Sequence, residues 1–248
     1  LVYSSHDQTP GFERDWVTVM HTFYTSTTYA VSREGDEIQL VKVDVPSDID
    51  VNAHRDLAIL RPRNDWDTGE RTYAAGSLLA CDFEAFMAGS RDFDVLFDPT
   101  PTTSLDGLTI TKDYLVVTVL DDVKHRLDVH YQSGDGSWER EDLYPELTGS
   151  LNVAAVDSDE SNDVWITRND FHAPVTLSLA SLAGIREGDG AGEIETIKTT
   201  PERFDASGVE VTQHFVESAD GTRVPYFEIA KAQETVGPRP TLLYGYGG

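Results

Sequence analysis

The sequence predicts a mainly β protein built of many short antiparallel strands, arranged as a β-propeller or a β-sandwich. Short segments rich in β-branched and aromatic residues recur through the first 200 positions. Gly, Asp and Ser turns separate them. The run YLVVTVL-DDVK-HRLDVHYQ-SGDGS-WEREDL, residues 114–143, is a meander of three strands. Meanders of this kind stack radially as four-stranded propeller blades. A β-sandwich accommodates the same strands, and no WD or kelch repeat marks a period.

The elements follow in order. Leu1-Val2-Tyr3-Ser4-Ser5 already reads as a strand, and WVTVMHTF (16–23), EIQLVKV (37–43) and DLAILRP (56–62) continue the pattern. DFEAFMAG (82–89) is the one helical stretch. Strands resume at 114–120, 125–132, 151–156, 163–168, 175–180 and 193–199, with turns at 33–37, 133–137, 157–163 and 186–193. TTPERFDASG (199–208) is polar, carries Pro and Gly, and reads as the junction between a domain at 1–200 and a second unit at 201–248. Residues 209–218 and 223–232 form a hairpin about the turn signal Asp220-Gly221. TLLY (241–244) reads as a buried strand, and Gly-Tyr-Gly-Gly ends the sequence. A Gly-rich loop after an apolar strand lets backbone approach a ligand closely.

Nineteen Lys and Arg stand against 44 Asp and Glu, a formal net charge of −25. Such a surface repels phosphate backbones and anionic lipid, so the expected partners include no nucleic acid and no membrane. The single cysteine, Cys81, excludes an internal disulfide and a multi-Cys zinc site, and in SLLACDF it reads as a small buried hydrophobe. Because the sequence opens within a strand and not on Met, its natural N-terminus is expected to lie upstream. The compartment, cytoplasmic or periplasmic, is therefore not readable.

QHFVESADGTRVPYFEIAKA (213–232), with its S-x-DGT-x-V-P pattern, followed by GPRPTLLYGYGG (237–248), resembles the prolyl oligopeptidase family of serine peptidases. VPSDID (45–50), GSLLACD (76–82), FDPTPTTSL (97–105), TKDYLVVTVLDDV (111–123) and FHAPVTLSL (171–179) extend the resemblance upstream. It implies a seven-bladed propeller capping an α/β-hydrolase domain with a Ser-Asp-His triad. Residues 1–200 would be a partial β-propeller, about four later blades of antiparallel strands. Residues 201–248 would be the first strands of the hydrolase, ending before the nucleophile.

On that resemblance Tyr244, Gly245, Tyr246, Gly247 and Gly248 are the oxyanion or substrate loop. The family places a Tyr whose hydroxyl donates to the oxyanion just upstream of the DGT motif. Val216 occupies that position here, and an aliphatic side chain donates nothing. No G-x-S-x-G occurs, and the seven histidines (6, 21, 54, 125, 130, 172 and 214) all precede the hydrolase core. No catalytic residue is therefore expected in this chain, which by itself should be inactive. The parent is expected to hydrolyse short peptides without cofactor or metal, the propeller gating their access. The alternative is a stand-alone propeller-like module that binds a protein or ligand without catalysis. In either case open strand edges favour self-association.

Other candidates read as structural. Asp157, Asp159, Ser161 and Asp163 have calcium-loop spacing, but Asn162 stands where the loop needs Gly and Arg168 where it needs Glu, so a solvated turn is expected. His125 and His130, five apart on a strand, point to opposite faces, and His172 belongs to a turn. Trp16, Trp66, Trp138 and Trp165 read as blade packing rather than a ligand platform. Glu202, Arg203 and Asp205 at the junction could form an interdomain latch of little strength.

Overall fold

The protein is described by a computed structural model covering residues 1–35, 37–231 and 237–245. Four antiparallel, four-stranded meanders succeed one another along it. Sheet 1 comprises β1 (Val2–Asp7), β2 (Arg14–Met20), β3 (Ser26–Glu34) and β4 (Glu37–Lys42). Sheet 2 opens with β5 (Ile49–His54) and β6 (Leu57–Pro62). It is interrupted by the small hairpin β7 (Trp66–Asp67) and β8 (Thr72–Tyr73), then resumes with β9 (Leu78–Asp82). A short helix, α1 (Phe83–Met87), leads to its last strand, β10 (Asp94–Phe97). Sheet 3 is β11 (Thr103–Ile110), β12 (Leu115–Asp121), β13 (Lys124–Gln132) and β14 (Trp138–Leu147). Sheet 4 is β15 (Ser150–Ala155), β16 (Asp163–Asn169), β17 (Thr176–Ser181) and β18 (Glu195–Thr199). A separate hairpin, β19 (Val209–Glu217) and β20 (Arg223–Lys231), follows.

Side-chain alternation explains how the sheets stack. On β6, Ala58 and Leu60 enter a cluster with Val43, Trp66, Tyr73 and Phe86 between sheets 1 and 2. Ile59, pointing the other way, joins Leu105, Leu115, Val117 and Val119 between sheets 2 and 3. On the other face of β12, Val116 packs with Leu127, Val153 and Ile166 between sheets 3 and 4. The two inner sheets are thus covered on both faces, which is why LAILRP and YLVVTVL are apolar nearly throughout instead of alternating. Each sheet packs only on its chain neighbours, which is propeller packing. A two-layer sandwich would leave one face of every sheet to solvent. Sheets 1 and 4 each keep an open outer face, and β4 and β18 are exposed along their whole length.

Local chemistry sets the turns. Asp82 caps α1, its carboxylate accepting from the Ala85 N–H at 2.7 Å. Asp122 and Val123 join β12 to β13 with φ values of 45° and 69°. That is the two-residue hairpin geometry requiring positive φ at both positions, and a β-branched residue there is strained. Gly149, at φ +95°, abuts the end of β16, where a Cβ would meet the Asn169 carbonyl oxygen at 2.3 Å.

One expectation is corrected. TLLY is not a buried strand: residues 238–245 pair with no strand, and Leu242, Leu243 and Tyr244 are 88%, 93% and 81% exposed. A strand needs a neighbour to satisfy its N–H and C=O groups and a surface to cover its apolar face. No described residue supplies either to this segment.

Two stability predictions follow from the packing and the turns. In the 248-residue chain, Leu60→Ala should cost about 2–5 kcal/mol, and Leu243→Ala should stay within about 0.5 kcal/mol, both read by urea unfolding. Val123→Gly should raise stability by about 1 kcal/mol by relieving the positive-φ strain. A drop in the unfolding midpoint for that variant would count against the turn assignment.

Candidate functional site: the rim cavity and the terminal hairpin

The turns β1–β2, β5–β6, β11–β12 and β15–β16 share one rim of the stacked sheets, the upper rim. Beneath it, β1, β5 and the end of β11 converge on a cavity of about 410 Å³. Alternation on β1 puts Tyr3, Ser5 and Asp7 on the wall, opposite Asn52 and His54 of β5. Asp159, from the β15–β16 turn, completes the mouth. Thr9 Oγ1 lies 2.7 Å from Asp7 Oδ1 and 3.1 Å from Asp159 Oδ1. Its one proton is shared between a carboxylate of sheet 1 and one of sheet 4. Arg55, at φ +53°, donates from Nη2 to the Asp159 carbonyl at 2.9 Å. His54 Nε2 stands 3.3 Å from the Lys112 carbonyl. On sheet 1, His6 Nδ1 is 2.7 Å from Asp15 Oδ1. That hydrogen bond, with a second from Arg33, holds the Asp15 carboxyl below its usual range. The cavity offers hydrogen-bonding groups and negative charge suited to an extended polar chain. Among the described residues that line it, no hydroxyl is hydrogen-bonded to a histidine.

At the opposite, lower rim the β19–β20 hairpin docks on the sheets. Gln213 donates to the Asp122 carbonyl, Arg223 lies 3.5 Å from the Asp122 carboxylate, and Phe227 meets Phe171 at 5.3 Å between ring centroids. Asp220 in the hairpin turn accepts from the Ser218 hydroxyl and the Thr222 N–H. These bonds push its pKa down to about 2. Gly221, at φ 85°, closes the turn as its Asp-Gly signal predicts. Val216 pairs with Val224 and is 55% exposed. Residues 239–244 run beside β20, and Tyr244 helps wall an open groove with Tyr226 and Glu228 that does not include Val216. No atom comes within 4 Å of a Cβ built on Gly245. Tyr246, Gly247 and Gly248 lie outside the described residues. Of the loop candidates only Tyr244 and Gly245 lie among the described residues, and Tyr244 shares no groove with Val216.

The remaining sequence candidates have structural employment. Cys81 is half-buried, and burial pushes its thiol up to about 12, which makes it inert. His125 is buried between the Gly149 carbonyl and Asp106. His130 is 4% exposed, and burial, partly offset by Asp128, lowers its pKa to about 4. His172 sits in the bend after β16, its Nδ1 3.6 Å from Asp170. Asp157 accepts from the N–H groups of Asp159 and Glu160, turning the chain at β15–β16. Trp16 packs edge-on against Phe83 and Trp66 beside Phe93, while Trp138 lies against the sheet 2–sheet 3 cluster. Trp165 is half-buried. Asp205 caps the Ser207 N–H and reaches Lys231 at 3.6 Å, while Glu202 and Arg203 wall a junction cavity. Thr9 and Arg55, which tie the rim together, were not singled out by the sequence. The only signal at Arg55 is its place between two strands, and nothing local marks a left-handed arginine.

Four successive four-stranded meanders packed face to face, with a hairpin docked on one rim, define a segment of a β-propeller. A post-proline cleaving enzyme from Rickettsia typhi superposes with a TM-score of 0.74 at 20% identity, over 93% of this chain and 33% of that one. Prolyl oligopeptidase B from Galerina marginata, bound to a 35mer hydrolysis and macrocyclization substrate, superposes with a TM-score of 0.62 at 18% identity, over 91% of this chain and 31% of its own. By sequence the chain is 33% identical over 199 residues to the uncharacterized peptidase y4nA of Sinorhizobium fredii, covering 79% of this chain and 26% of that protein. The chain is a relative of the prolyl oligopeptidase-family peptidases, and it spans about a quarter to a third of the length of the proteins it matches. No protein-family model matches the sequence.

The buried histidine carries a pH prediction. Neutral His130 is favoured in the folded chain, with a pKa near 4 against an ordinary value of 6.5. Between those values the unfolded chain binds the extra proton, so stability falls as pH drops from about 6.5 to about 4, by roughly 3 kcal/mol in total. The carboxylate of Asp220, whose pKa is depressed to about 2, loses its contribution only below about 3.8. Urea unfolding at pH 7 and pH 4.5 reads the difference, and His130→Leu should flatten the profile over that window.

Proposed function

We propose that the protein is a serine-type peptidase of the prolyl oligopeptidase kind that hydrolyses short peptides. Residues 1–200 supply part of the propeller that controls access, and residues 201–248 supply the leading strands of an α/β-hydrolase domain. The observation that carries this reading is the 33% identity to a peptidase over 79% of the chain, coupled to a propeller-like stack of sheets. The peptide-bound Galerina marginata structure supports peptides as the substrate class.

In this mechanism a serine outside residues 1–248 attacks the peptide carbonyl, a histidine takes its proton, and an aspartate orients the histidine. The propeller contributes exclusion of bulk water and of large substrates. Tyr244, Gly245, Tyr246, Gly247 and Gly248 form the loop against the reacting carbonyl, where backbone N–H groups stabilise the developing oxyanion. Val216 supplies no donor. Without a replacement the missing hydroxyl costs about 100- to 1000-fold in rate, which points to a branch of the family with its own oxyanion donor.

The test is hydrolysis of short proline-containing peptides by the protein as its gene encodes it. Turnover sensitive to a serine-directed phosphonate is expected, and the chain 1–248 alone should show none. Gly245→Val in the active protein should lower kcat/KM by at least about tenfold. No atom of the described residues crowds that position, so the loss would report the substrate side. Absence of phosphonate-sensitive turnover on any short peptide would sink the reading.

A second expectation concerns the isolated chain. The outer face of sheet 1 exposes Val2, Ile38 and Leu40, and β4 and β18 are exposed strands. Residues 1–248 alone should therefore self-associate. A monodisperse monomer at high concentration, measured by light scattering, would count against this.

A further inference from the structure

Three of the 19 Lys and Arg residues, Arg55, Lys112 and Arg186, wall one small cavity of about 110 Å³ on the upper rim. They come from three separate turns: β5–β6, β11–β12 and the segment joining β17 to β18. In a chain of net charge −25, such a gathering runs against the general field. Among the described residues none of the three forms an ion pair with a carboxylate. Arg55 spends Nη2 on a backbone carbonyl, and Arg186 lies over the rings of Tyr114 and Tyr131 at 5.7 and 5.9 Å. Two carboxylates also line the cavity, but Asp113 accepts from Asn162 Nδ2 at 2.8 Å and Asp56 is exposed to solvent.

A second, independent observation concerns donors. Trp138 Nε1 and Arg55 Nε are shielded from solvent and have no hydrogen-bond partner among the described residues, and both residues wall this cavity. Buried donors are nearly always paired in folded proteins, and an orphan calls for an acceptor that the chain does not supply. Indole can only donate, and so can guanidinium and ammonium. The missing partner must be an acceptor, and the three cations favour a negative one. The volume equals that of about three or four waters in the liquid, the bulk of a single tetrahedral or carboxylate group.

We propose that this cavity binds a small oxyanion, a phosphate or a carboxylate, held by Lys112, Arg186, Arg55 Nε and Trp138 Nε1. The site lies at the strand ends opposite the docked hairpin, and the inference does not depend on the peptidase reading. Bound anion would join the turns of sheets 2 and 3 to the β17–β18 segment of sheet 4 and so tie the upper rim together.

The experiment is isothermal titration of the gene-encoded protein with inorganic phosphate and, separately, with acetate, at constant ionic strength and with chloride as the control. Binding of one anion per chain at millimolar concentration or below is expected, accompanied by a change in tryptophan emission. Lys112→Met keeps the aliphatic stem and should weaken binding about tenfold, the scale of one charge-assisted contact. Trp138→Phe keeps an aromatic ring, removes the N–H, and should weaken binding and abolish the emission change. Circular dichroism confirms that both variants are folded, and each is an independent arm should the other fail to fold. Preference for phosphate would identify a free phosphate as the source, and preference for acetate a peptide carboxyl group. No binding of either anion overturns the proposal, as does binding that both folded variants leave unchanged.

Discussion

A β-sheet buries two faces or one, and which of these holds governs how every strand of this protein reads. Sheets 2 and 3 are covered on both sides, so their middle strands are apolar at consecutive positions and hold Ile59, Leu60, Val116 and Val117 essentially out of solvent. Sheets 1 and 4 are covered on one side, and their outermost strands β4 and β18 are exposed throughout. Among the described residues, three clusters between four sheets make up the apolar core. Remove one cluster and a sheet loses the surface that hides it, because each cluster joins only sheets that are neighbours in the chain order.

Stacking of this kind leaves the turns at two rims, and the rims carry the polar chemistry. Across the upper rim Thr9 shares its proton between Asp7 and Asp159, and Arg55 reaches the backbone of the same Asp159. These contacts bring the first and fourth sheets together over the cavity although they share no apolar cluster. At the lower rim the strained Asp122-Val123 turn presents the carbonyl and carboxylate that receive Gln213 and Arg223 of the hairpin. A positive-φ valine persists there because the β12–β13 register leaves room for only two residues. The strain is thus tied to the place where the second unit docks.

The stacked sheets present hydrogen-bonding groups and acidic side chains at the upper rim. Their histidines are engaged or buried as scaffolding, with His130 held neutral by its surroundings. After β20, Leu242, Leu243 and Tyr244 form an apolar run that no described residue covers. Val216, on the hairpin, is an exposed aliphatic side chain and donates no hydrogen bond.

Local sequence alone determined most of the strands, a helix within 82–89 and the Asp220-Gly221 hairpin, because period-2 patterning, an N-cap aspartate and turn glycines act within a few residues; β3, β5, β9, β10 and β11 it passed over. It also placed the histidines and tryptophans in packing roles, since their spacing suits no shared site. It left propeller and sandwich open, and it read TLLY as buried, because an apolar run says that a face wants covering without saying what covers it. Which sheets cover which, that Arg55, Lys112 and Arg186 meet at one cavity, and that Thr9 reaches Asp159 were decided only in three dimensions. Those pairs are separated by tens of residues or more, and contact at that distance is set by how sheets stack, not by any pattern a strand carries.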